Sequence, residues 1–428
     1  MSKLHKAARS GDIRAFERLL DKGADISARD EDGCTPLHCA ASPDFTDMHR
    51  FLARQSGKDT ALNEKGCTGI VNLLLDRGAE VNVRDSYGRS PLFVAALQGF
   101  TEIMKLLLDR GAEGNTRDGE GITPLHCAVR TGDILPVKLL IDRGADINAS
   151  DENGVTPLLI AASENHAGIL SLLLDHDADV NAAWQESTSL HIAAIKGHTE
   201  VVKILIQRGA NVNAADHKGA TPLLDAVIEG STDIVKLLLD NGANVNPRSE
   251  THIVPLHFAC FKGHNEVVKL LIERGADVNA MDDTNTTPLH ISATRSYTEI
   301  LKMLLDSDAD ANVQDKNSMT PLHMAASGGH VAAARLLLNG GAEIEARAVG
   351  NMTPLHFAAG NGHRGMVSLL LDRGAEIDAR GLGGLAPIHV AAARGHDRVA
   401  DLLQARGADF DSLPKWEPGA NPWRNFEL

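Results

Sequence analysis

A short motif of threonine, proline, leucine and histidine recurs along the chain at nearly constant spacing. Complete copies include residues 123–126, 287–290, 320–323 and 353–356. Weaker copies fill the intervals, and the proline position falls at 36, 91, 124, 157, 189 (serine), 222, 255, 288, 321, 354 and 387. From 91 onward eight of the nine steps are 33 residues and one is 32. Such a period predicts a solenoid of stacked units rather than separate globular domains.

Local signals within one period predict two short helices and a connecting finger. Thr287 is placed to cap the first helix, and Pro288 occupies its first turn, where a missing N–H costs nothing. The second helix, 299–306, carries apolar residues at helical spacing. Most units then close with Arg-Gly-Ala, because glycine accepts the left-handed conformation that ends a helix. The Asp-Val-Asn-Ala stretch that follows predicts a hairpin-like finger that projects to the next unit.

The 33-residue period with its Thr-Pro-Leu-His motif resembles the ankyrin repeat family over residues 4–410. The resemblance implies an all-α solenoid of about twelve to thirteen stacked helix-turn-helix repeats, with β-hairpin-like fingers and a curved superhelix. We expect an N-terminal capping repeat at 1–34, an irregular region at 35–85, ten regular repeats at 86–410 and a C-terminal tail at 411–428.

The irregular region holds 22 extra residues, because the step from Pro36 to Pro91 is 55. One interpretation places a second helix at 45–55 and a shortened, degenerate repeat at 60–74. The alternative is a loop inserted between the two helices of one ordinary repeat. We prefer the degenerate repeat, because residues 73–79 (Leu-Leu-Leu-Asp-Arg-Gly-Ala) end it as a repeat should end.

Three positions lack the glycine that the pattern favours. Asp177 and Asp308 stand at helix ends, and Asn165 stands where glycine normally precedes histidine. A non-glycine residue in the left-handed region costs about 1 kcal/mol. We therefore expect earlier hydrogen exchange near 165–180 than in 320–375.

The 19 histidines invite a metal or acid–base hypothesis, but most of them follow the repeat register. Nine follow the Pro-Leu pair or its equivalent, and six precede the second helix. The resemblance implies that these rings bond to backbone and threonine groups. The remaining four do not share metal-ligand spacing, and they are His49, His176, His217 and His252. Because phosphate-loop, Gly-x-Ser-x-Gly and His-Glu-x-x-His motifs are also absent, the sequence predicts no enzyme, no cofactor and no metal.

The net charge limits the classes of partner that the chain can bind, and its cysteines indicate the cellular compartment. The chain has 42 basic and 57 acidic residues, a formal net charge of −15, which disfavours nucleic acid. The five cysteines form no Cys-x-x-Cys pair and are typical of reduced thiols in the cytoplasm or the nucleus. The N-terminus resembles no signal peptide, and no apolar run reaches the roughly 20 residues of a membrane span. We expect a protein that is monomeric alone and does not insert into a membrane.

The resemblance also implies that partners contact the finger tips and the ends of the first helices, along a concave face. Aromatic residues and arginine in such slots are the types enriched at interface hot spots. A footprint centred on Tyr87, Trp184, Phe261 and Tyr297 is preferred, and the alternative is that each ring only shields a neighbouring repeat. The candidate partner-binding residues are Tyr87, Arg89, Arg130, Trp184, Lys196, Phe261, Lys262, Arg295, Tyr297, Trp416 and Trp423.

These slots predict a non-enzymatic scaffold or adaptor that binds another protein. The alternative function is a regulatory or structural subunit of a larger assembly, which inhibits by occupancy or reaches a membrane through its partner. The aromatic tail at 411–428 has two interpretations as well. It either covers the apolar side of the last repeat or engages a partner.

Overall fold

The structure, a computed structural model, describes residues 2–42, 60–248 and 251–411, with the backbone alone at 60–64. The chain divides into two compact units, Met1–His217 and Lys218–Leu428. Each unit is built from repeats that contribute one first helix and one second helix.

In the first unit the first helices pack against one another in sequence, and so do the second helices. The first helices are α1 (Lys3–Ser10), α3 (Pro36–Ala41), α5 (Pro91–Gln98), α7 (Pro124–Thr131), α9 (Pro157–Ser163) and α11 (Ser189–Ile195). The second helices are α2 (Ile13–Asp21), α4 (Thr60–Asp76), α6 (Thr101–Asp109), α8 (Ile134–Asp142), α10 (Ala167–Asp175) and α12 (Thr199–Gln207). The predicted helix pairs are thus confirmed in this unit, and they form two layers.

The second unit repeats the same arrangement. Its first helices are α13 (Pro222–Glu229), α15 (Pro255–Lys262), α17 (Pro288–Arg295), α19 (Pro321–Ser327), α21 (Pro354–Gly360) and α23 (Pro387–Ala393). Its second helices are α14 (Thr232–Asp240), α16 (Asn265–Glu273), α18 (Thr298–Asp306), α20 (Val331–Asn339), α22 (Arg364–Asp372) and α24 (Asp397–Ala405). Short 3-10 turns lie at Val349–Asn351 and Leu382–Gly384.

A single leucine position of the second helix forms the centre of each unit's core. From α4 onward this leucine is fully buried in every repeat, at Leu74, Leu107, Leu140, Leu173, Leu205, Leu238, Leu271, Leu304, Leu337, Leu370 and Leu403. Burying one leucine side chain stabilises the fold by about 1.5–3 kcal/mol. Because the leucine lies between helix layers of adjacent repeats, a repeat removed from its neighbours loses this contribution.

Most fingers are held by an aspartate rather than by strand pairing. One carboxylate oxygen of Asp85 accepts the backbone N–H groups of Tyr87 and Arg89, both at 2.9 Å. The same bonding recurs at Asp30, Asp118, Asp151, Asp282 and Asp315. Among the described residues, one finger forms a pair of strands, β1 (Ala183–Trp184) and β2 (Ser187–Thr188). The hairpin-like finger predicted for every repeat is therefore a side-chain-stabilised turn at most positions.

The left-handed conformations predicted at non-glycine positions are confirmed. The φ angle is 60° at Asn165, 63° at Asp177 and 64° at Asp308.

Helix α4 fills the second-helix position of the repeat that α3 begins. It packs against α2, α3 and α6, and its last nine residues match α6 in register, so that Thr68 corresponds to Thr101. This placement favours the alternative of a segment inserted between the helices of one repeat. Residues 43–59, with the helix predicted at 45–55, lie outside the described residues, and the proposed domain boundaries stay a prediction.

Three glycines of the second helices each lie against a branched side chain of the preceding repeat. An added Cβ on Gly69 would lie 2.6 Å from Cδ1 of Ile13. The corresponding distances are 3.9 Å from Gly168 to Ile134 and 3.6 Å from Gly365 to Val331. In α6, α12, α16 and α18 the glycine position holds glutamate. Each isoleucine or valine at the start of one second helix is thus matched by a glycine in the next.

Candidate functional site

The finger tips and the last residues of the first helices present side chains that the framework does not bury. The tips are fixed to one another by backbone hydrogen bonds, such as Gly119 N–H to the Tyr87 carbonyl and Glu152 N–H to the Glu120 carbonyl, both 2.9 Å. The first-helix ends are fixed by the packing of the first-helix layer. Side chains at both places are therefore held on a rigid support, which suits recognition.

Tyr87 and Arg89 form one aromatic–cation pair in the first unit. The guanidinium carbon of Arg89 lies 4.4 Å from the centroid of the Tyr87 ring, and Tyr87 is 56% exposed. Arg89 also pairs with the buried carboxylate of Asp85 at 2.7 Å. Because Asp85 fixes the finger, Arg89 has a structural role in addition to its contact with Tyr87.

Trp184 lies on the strand-paired finger of the same unit. Its position is the one that aspartate takes in other fingers, and the turn is made instead by Gln185 and Glu186 with φ angles of 48° and 67°. Trp184 is 38% exposed. Arg130 and Lys196 are exposed at the end of α7 and just after α11.

Phe261, Lys262 and Arg295 form the corresponding cluster in the second unit. The guanidinium carbon of Arg295, at the end of α17, lies 4.1 Å from the centroid of the Phe261 ring, at the end of α15. Phe261 is 47% exposed, and Lys262 is exposed beside it. Cation–π pairs at exposed sites stabilise by about 0.5–1 kcal/mol, so this contact holds both side chains in place.

Tyr297 occupies a different kind of position from the other three aromatic residues. It stands in the slot that holds histidine in most repeats, and its ring lies over Gly263 of the preceding repeat. An added Cβ on Gly263 would be 2.9 Å from Cζ of Tyr297. This geometry agrees with the alternative that the ring shields a neighbouring repeat.

The structure brings together Tyr87 with Arg89, and Phe261 with Arg295. Trp416 and Trp423 lie outside the described residues, so the two interpretations of the tail stay open.

The framework histidines bond as the resemblance implied. In a typical case, the backbone N–H of Thr320 donates to Nδ1 of His323 at 3.1 Å, and Nε2 lies 3.1 Å from the Met352 carbonyl of the next repeat. This pairing requires a neutral ring with its proton on Nε2. Burial lowers the pKa of His323 and of His356 to about 4, although the carbonyl hydrogen bonds raise it. Burial likewise lowers the pKa of the rings of His38, His126, His257 and His290.

All five cysteines belong to the part of the chain that the structure describes, and each is a buried free thiol. Burial raises the pKa of Cys34, Cys127 and Cys260 to about 12 and that of Cys39 to about 11. A thiol with so high a pKa is a poor nucleophile and a poor metal ligand at neutral pH.

Sequence reasoning missed a set of exposed cations at the bases of the first fingers. Arg29, Arg84 and Arg117 each precede the finger aspartate, and together they are called the arginine row. An Nη1 of each donates to a carbonyl of the next repeat, at 2.6 Å to Arg84, 3.0 Å to Arg117 and 2.7 Å to Ser150. The signal was available, because arginine recurs at one slot in three successive repeats.

A second ladder of arginines, on the second helices, differs because its members are paired. Arg110 lies 3.0 Å from Asp76. Arg143 lies 2.7 Å from Asp109, and Arg208 lies 2.7 Å from Asp175. Exposed pairs of this kind contribute roughly 0–1 kcal/mol each.

The paired helices, the shared core and the fingers define an α-helical repeat protein. The family model described as ankyrin repeats (3 copies) matches the chain at 4–118, 60–151, 111–183, 136–216, 182–249, 248–315, 297–381 and 349–413. The chain therefore belongs to the ankyrin repeat family, and its fold is the predicted all-α ankyrin-repeat solenoid.

Several curated proteins are similar to parts of the chain. Mouse protein phosphatase 1 regulatory subunit 27 is 39% identical over 66 residues, which is 15% of this chain and 43% of that protein. Human neurogenic locus notch homolog protein 2 is 37% identical over 106 residues, or 22% of this chain and 4% of that protein. Transient receptor potential cation channel subfamily A member 1 of Drosophila melanogaster is 32% identical over 110 residues, or 22% and 9%. The chain spans less than half the length of each of these relatives.

The family and these relatives indicate a protein-interaction module. Within the part of the chain that the structure describes, every helix is too short or too polar to cross a bilayer.

Proposed function

We propose that the chain is a non-enzymatic scaffold or adaptor that binds a protein partner through its finger tips and first-helix ends. The observation that carries the proposal is the cluster of Phe261, Lys262 and Arg295. An aromatic ring that is 47% exposed and held by a guanidinium at 4.1 Å has no role in the core of its own repeat. Aromatic and arginine side chains of this kind dominate binding energy at protein interfaces.

Tyr87 and Trp184 extend the proposal to the first unit. Both rings are exposed on fingers, and the finger of Tyr87 is fixed by the buried Asp85. An ordered support reduces the entropy that an interface side chain loses on binding. The proposal includes the expectations that the chain has no catalytic activity and no cofactor, binds no nucleic acid, is monomeric alone and acts in the cytoplasm or the nucleus.

Affinity capture from cell extract with quantitative mass spectrometry tests the proposal. The tagged chain is compared with Phe261→Ala/Lys262→Ala/Arg295→Ala and with Tyr87→Ala/Trp184→Ala. Tyr297 is left intact because it covers Gly263. We expect at least one partner to be lost by roughly tenfold or more in one variant, since removal of a hot-spot residue costs about 2 kcal/mol.

A matched control removes exposed apolar surface elsewhere. Leu135→Ala acts at the start of the second helix α8, where the side chain is 60% exposed. Circular dichroism of all variants should match that of the parent chain. If the control loses the same partners, or if both aromatic variants keep every partner, the proposed surface is wrong.

A second candidate function is a regulatory subunit that acts by occupancy. It is favoured by the similarity to a protein named as a phosphatase 1 regulatory subunit. Adding the purified chain to a captured partner distinguishes the two, since a regulatory subunit changes the partner's activity and a scaffold does not.

A further inference from the structure

We propose that the arginine row, Arg29, Arg84 and Arg117, binds an extended acidic peptide that places one carboxylate against each arginine. This inference rests on the proposed protein-binding function and specifies the chemistry of one partner. The row lies at the finger bases of the first unit and contains none of the candidate residues that the sequence predicted.

Each guanidinium of the row is oriented by the framework and still exposed. The bond from Nη1 to a carbonyl of the next repeat draws each side chain along the row, at 2.6 Å, 3.0 Å and 2.7 Å. A guanidinium has five N–H donors in a rigid fork. Because the three side chains are exposed, most of these donors face solvent and can bind a carboxylate.

The carboxylates nearest in sequence do not neutralise the row. Asp30 and Asp118 follow Arg29 and Arg117 directly, but one oxygen of each accepts two backbone N–H groups of its own finger. Asp85, which follows Arg84, is bound in addition by Arg89.

The arginines of the row form no ion pair within the described part of the chain. None of the ion pairs that involve described residues includes an arginine of the row. In the second unit arginine holds the same slot at Arg248, Arg347 and Arg380, and Arg347 differs from the row. Arg347 lies 3.8 Å from Glu345 and 3.7 Å from Glu376. Within the described residues the three cations of the row therefore lack carboxylates of the kind that Arg347 has.

The spacing expected for the row fits an extended chain. Helices of neighbouring repeats pack about 8–10 Å apart, and since the row has one arginine in each repeat, we take about the same distance between successive arginines. A peptide in the extended polyproline II conformation has three residues per turn and rises about 3.1 Å per residue, so side chains three residues apart lie on one face about 9 Å apart. Carboxylates at every third residue thus meet successive arginines. The row ends at Ser150, which takes the slot in the next repeat and carries no charge.

The same spacing disfavours nucleic acid as the occupant. A DNA strand carries a phosphate about every 3.4 Å of duplex axis, so the row would contact only every third phosphate. The chain as a whole has a net charge of −15. This net negative charge repels a dense polyanion more than it repels a peptide with widely spaced carboxylates.

Fluorescence anisotropy with a labelled synthetic peptide tests the inference. The probe has about 12 residues with glutamate at every third position, the period of polyproline II, and small polar spacers, and the comparison peptide has the same composition with its glutamates adjacent. We expect tighter binding of the spaced peptide to the full chain, with affinity that falls as salt is raised.

Substitutions then assign the binding to the row. Arg29→Gln/Arg84→Gln/Arg117→Gln should weaken binding by roughly tenfold, because three exposed charge contacts are lost. The matched control, Arg110→Gln/Arg143→Gln/Arg208→Gln, removes the same charge from the paired ladder and should change affinity by less than about twofold. The triple lysine variant of the row keeps the charge and should bind more tightly than the glutamine variant.

Three results would overturn the inference. These are equal loss of affinity in the row and in the control, equal affinity for the two peptides, and equal affinity for an oligothymidylate of the same charge. Failure of the peptide test leaves the aromatic-dependent capture of a partner untouched, and failure of that capture leaves the peptide result untouched. The two proposals are therefore tested separately.

Discussion

Acid should loosen the repeats around His323 and His356 before it affects most of the chain. Both rings are fully buried, and each joins the threonine before its helix to a carbonyl of the next repeat. Only the neutral ring makes this connection, since a protonated Nδ1 cannot accept from the backbone N–H. Protonation therefore breaks the link between adjacent repeats.

The magnitude follows from the pKa values of the folded and unfolded states. The pKa of each ring is about 4 when folded and 6.5 in the unfolded chain. Because the folded pKa is the lower one, the stability is fully present above pH 6.5 and is lost as the pH falls toward 4. Between pH 7 and pH 5 the loss is about 2 kcal/mol for each histidine.

Hydrogen exchange is the direct assay, because repeats of a solenoid open locally. We expect the protection of α19 and α21 at pH 5, corrected for intrinsic rates, to fall by roughly tenfold or more relative to pH 7. His323→Gln/His356→Gln should remove most of that pH dependence, although it lowers stability at pH 7. The control is His176→Gln, at an exposed position. If the double variant keeps the same pH dependence, the histidine link is not its cause.

Three further perturbations have defined outcomes. Ser189→Pro should raise the free energy of unfolding by about 0.5–1 kcal/mol in urea, because the buried hydroxyl of Ser189 lacks a hydrogen-bond partner and the position is a first turn preceded by extended backbone. Asp177→Gly should slow local hydrogen exchange near 165–180, since a left-handed φ of 63° costs glycine less. Cys127 and Cys260, with pKa values raised to about 12, should react with iodoacetamide at pH 8 only after denaturation.

Each of these has a result that contradicts it. A lower urea midpoint for Ser189→Pro would mean that the helix start is strained by proline. Unchanged exchange in Asp177→Gly would show that opening begins elsewhere. Rapid alkylation of the native thiols would show that the helix layers open often on the time scale of the reaction.

The period was sufficient to predict the helix pairs and their layers, and the family resemblance implied the histidine roles. Each repeat uses the same capping threonine, buried leucine and glycine end, so one unit explains the others. The left-handed conformations at Asp177 and Asp308 followed from the same register. Repetition makes local sequence and global packing agree, which is why these predictions were reliable.

The departures from the period were harder to interpret. Tyr297 was grouped with exposed aromatic residues, although its slot is that of histidine and its ring lies over Gly263. The irregular region contains a correct helix end, but the choice between a repeat and an insertion depends on which helices α4 contacts. Contacts between elements distant in sequence are not contained in the spacing of motifs.

The arginine row and the Phe261–Arg295 pair could not be predicted from the sequence for the same reason. Each depends on which side chains of different repeats lie in contact. A slot-by-slot comparison identifies that arginine recurs at Arg29, Arg84 and Arg117, but only the structure shows that these three bond to carbonyls of the next repeat and to no carboxylate among the described residues.

The glycines that receive Ile13, Ile134 and Val331 have a consequence for the order of the units. Near-identical units joined in a row risk stacking on the wrong neighbour, by slipping one place along the chain or by exchange between two molecules. A branched side chain packed on a glycine penalises such misalignment, because most other units present a larger residue at that point. The penalty is largest for Ile13, which lies 2.6 Å from the place of a Cβ on Gly69, whereas the 3.9 Å and 3.6 Å at Gly168 and Gly365 are ordinary contact distances. The repeats of this chain are therefore not interchangeable, because each of these contacts favours the native neighbour, most strongly at Ile13 and less at Ile134 and Val331.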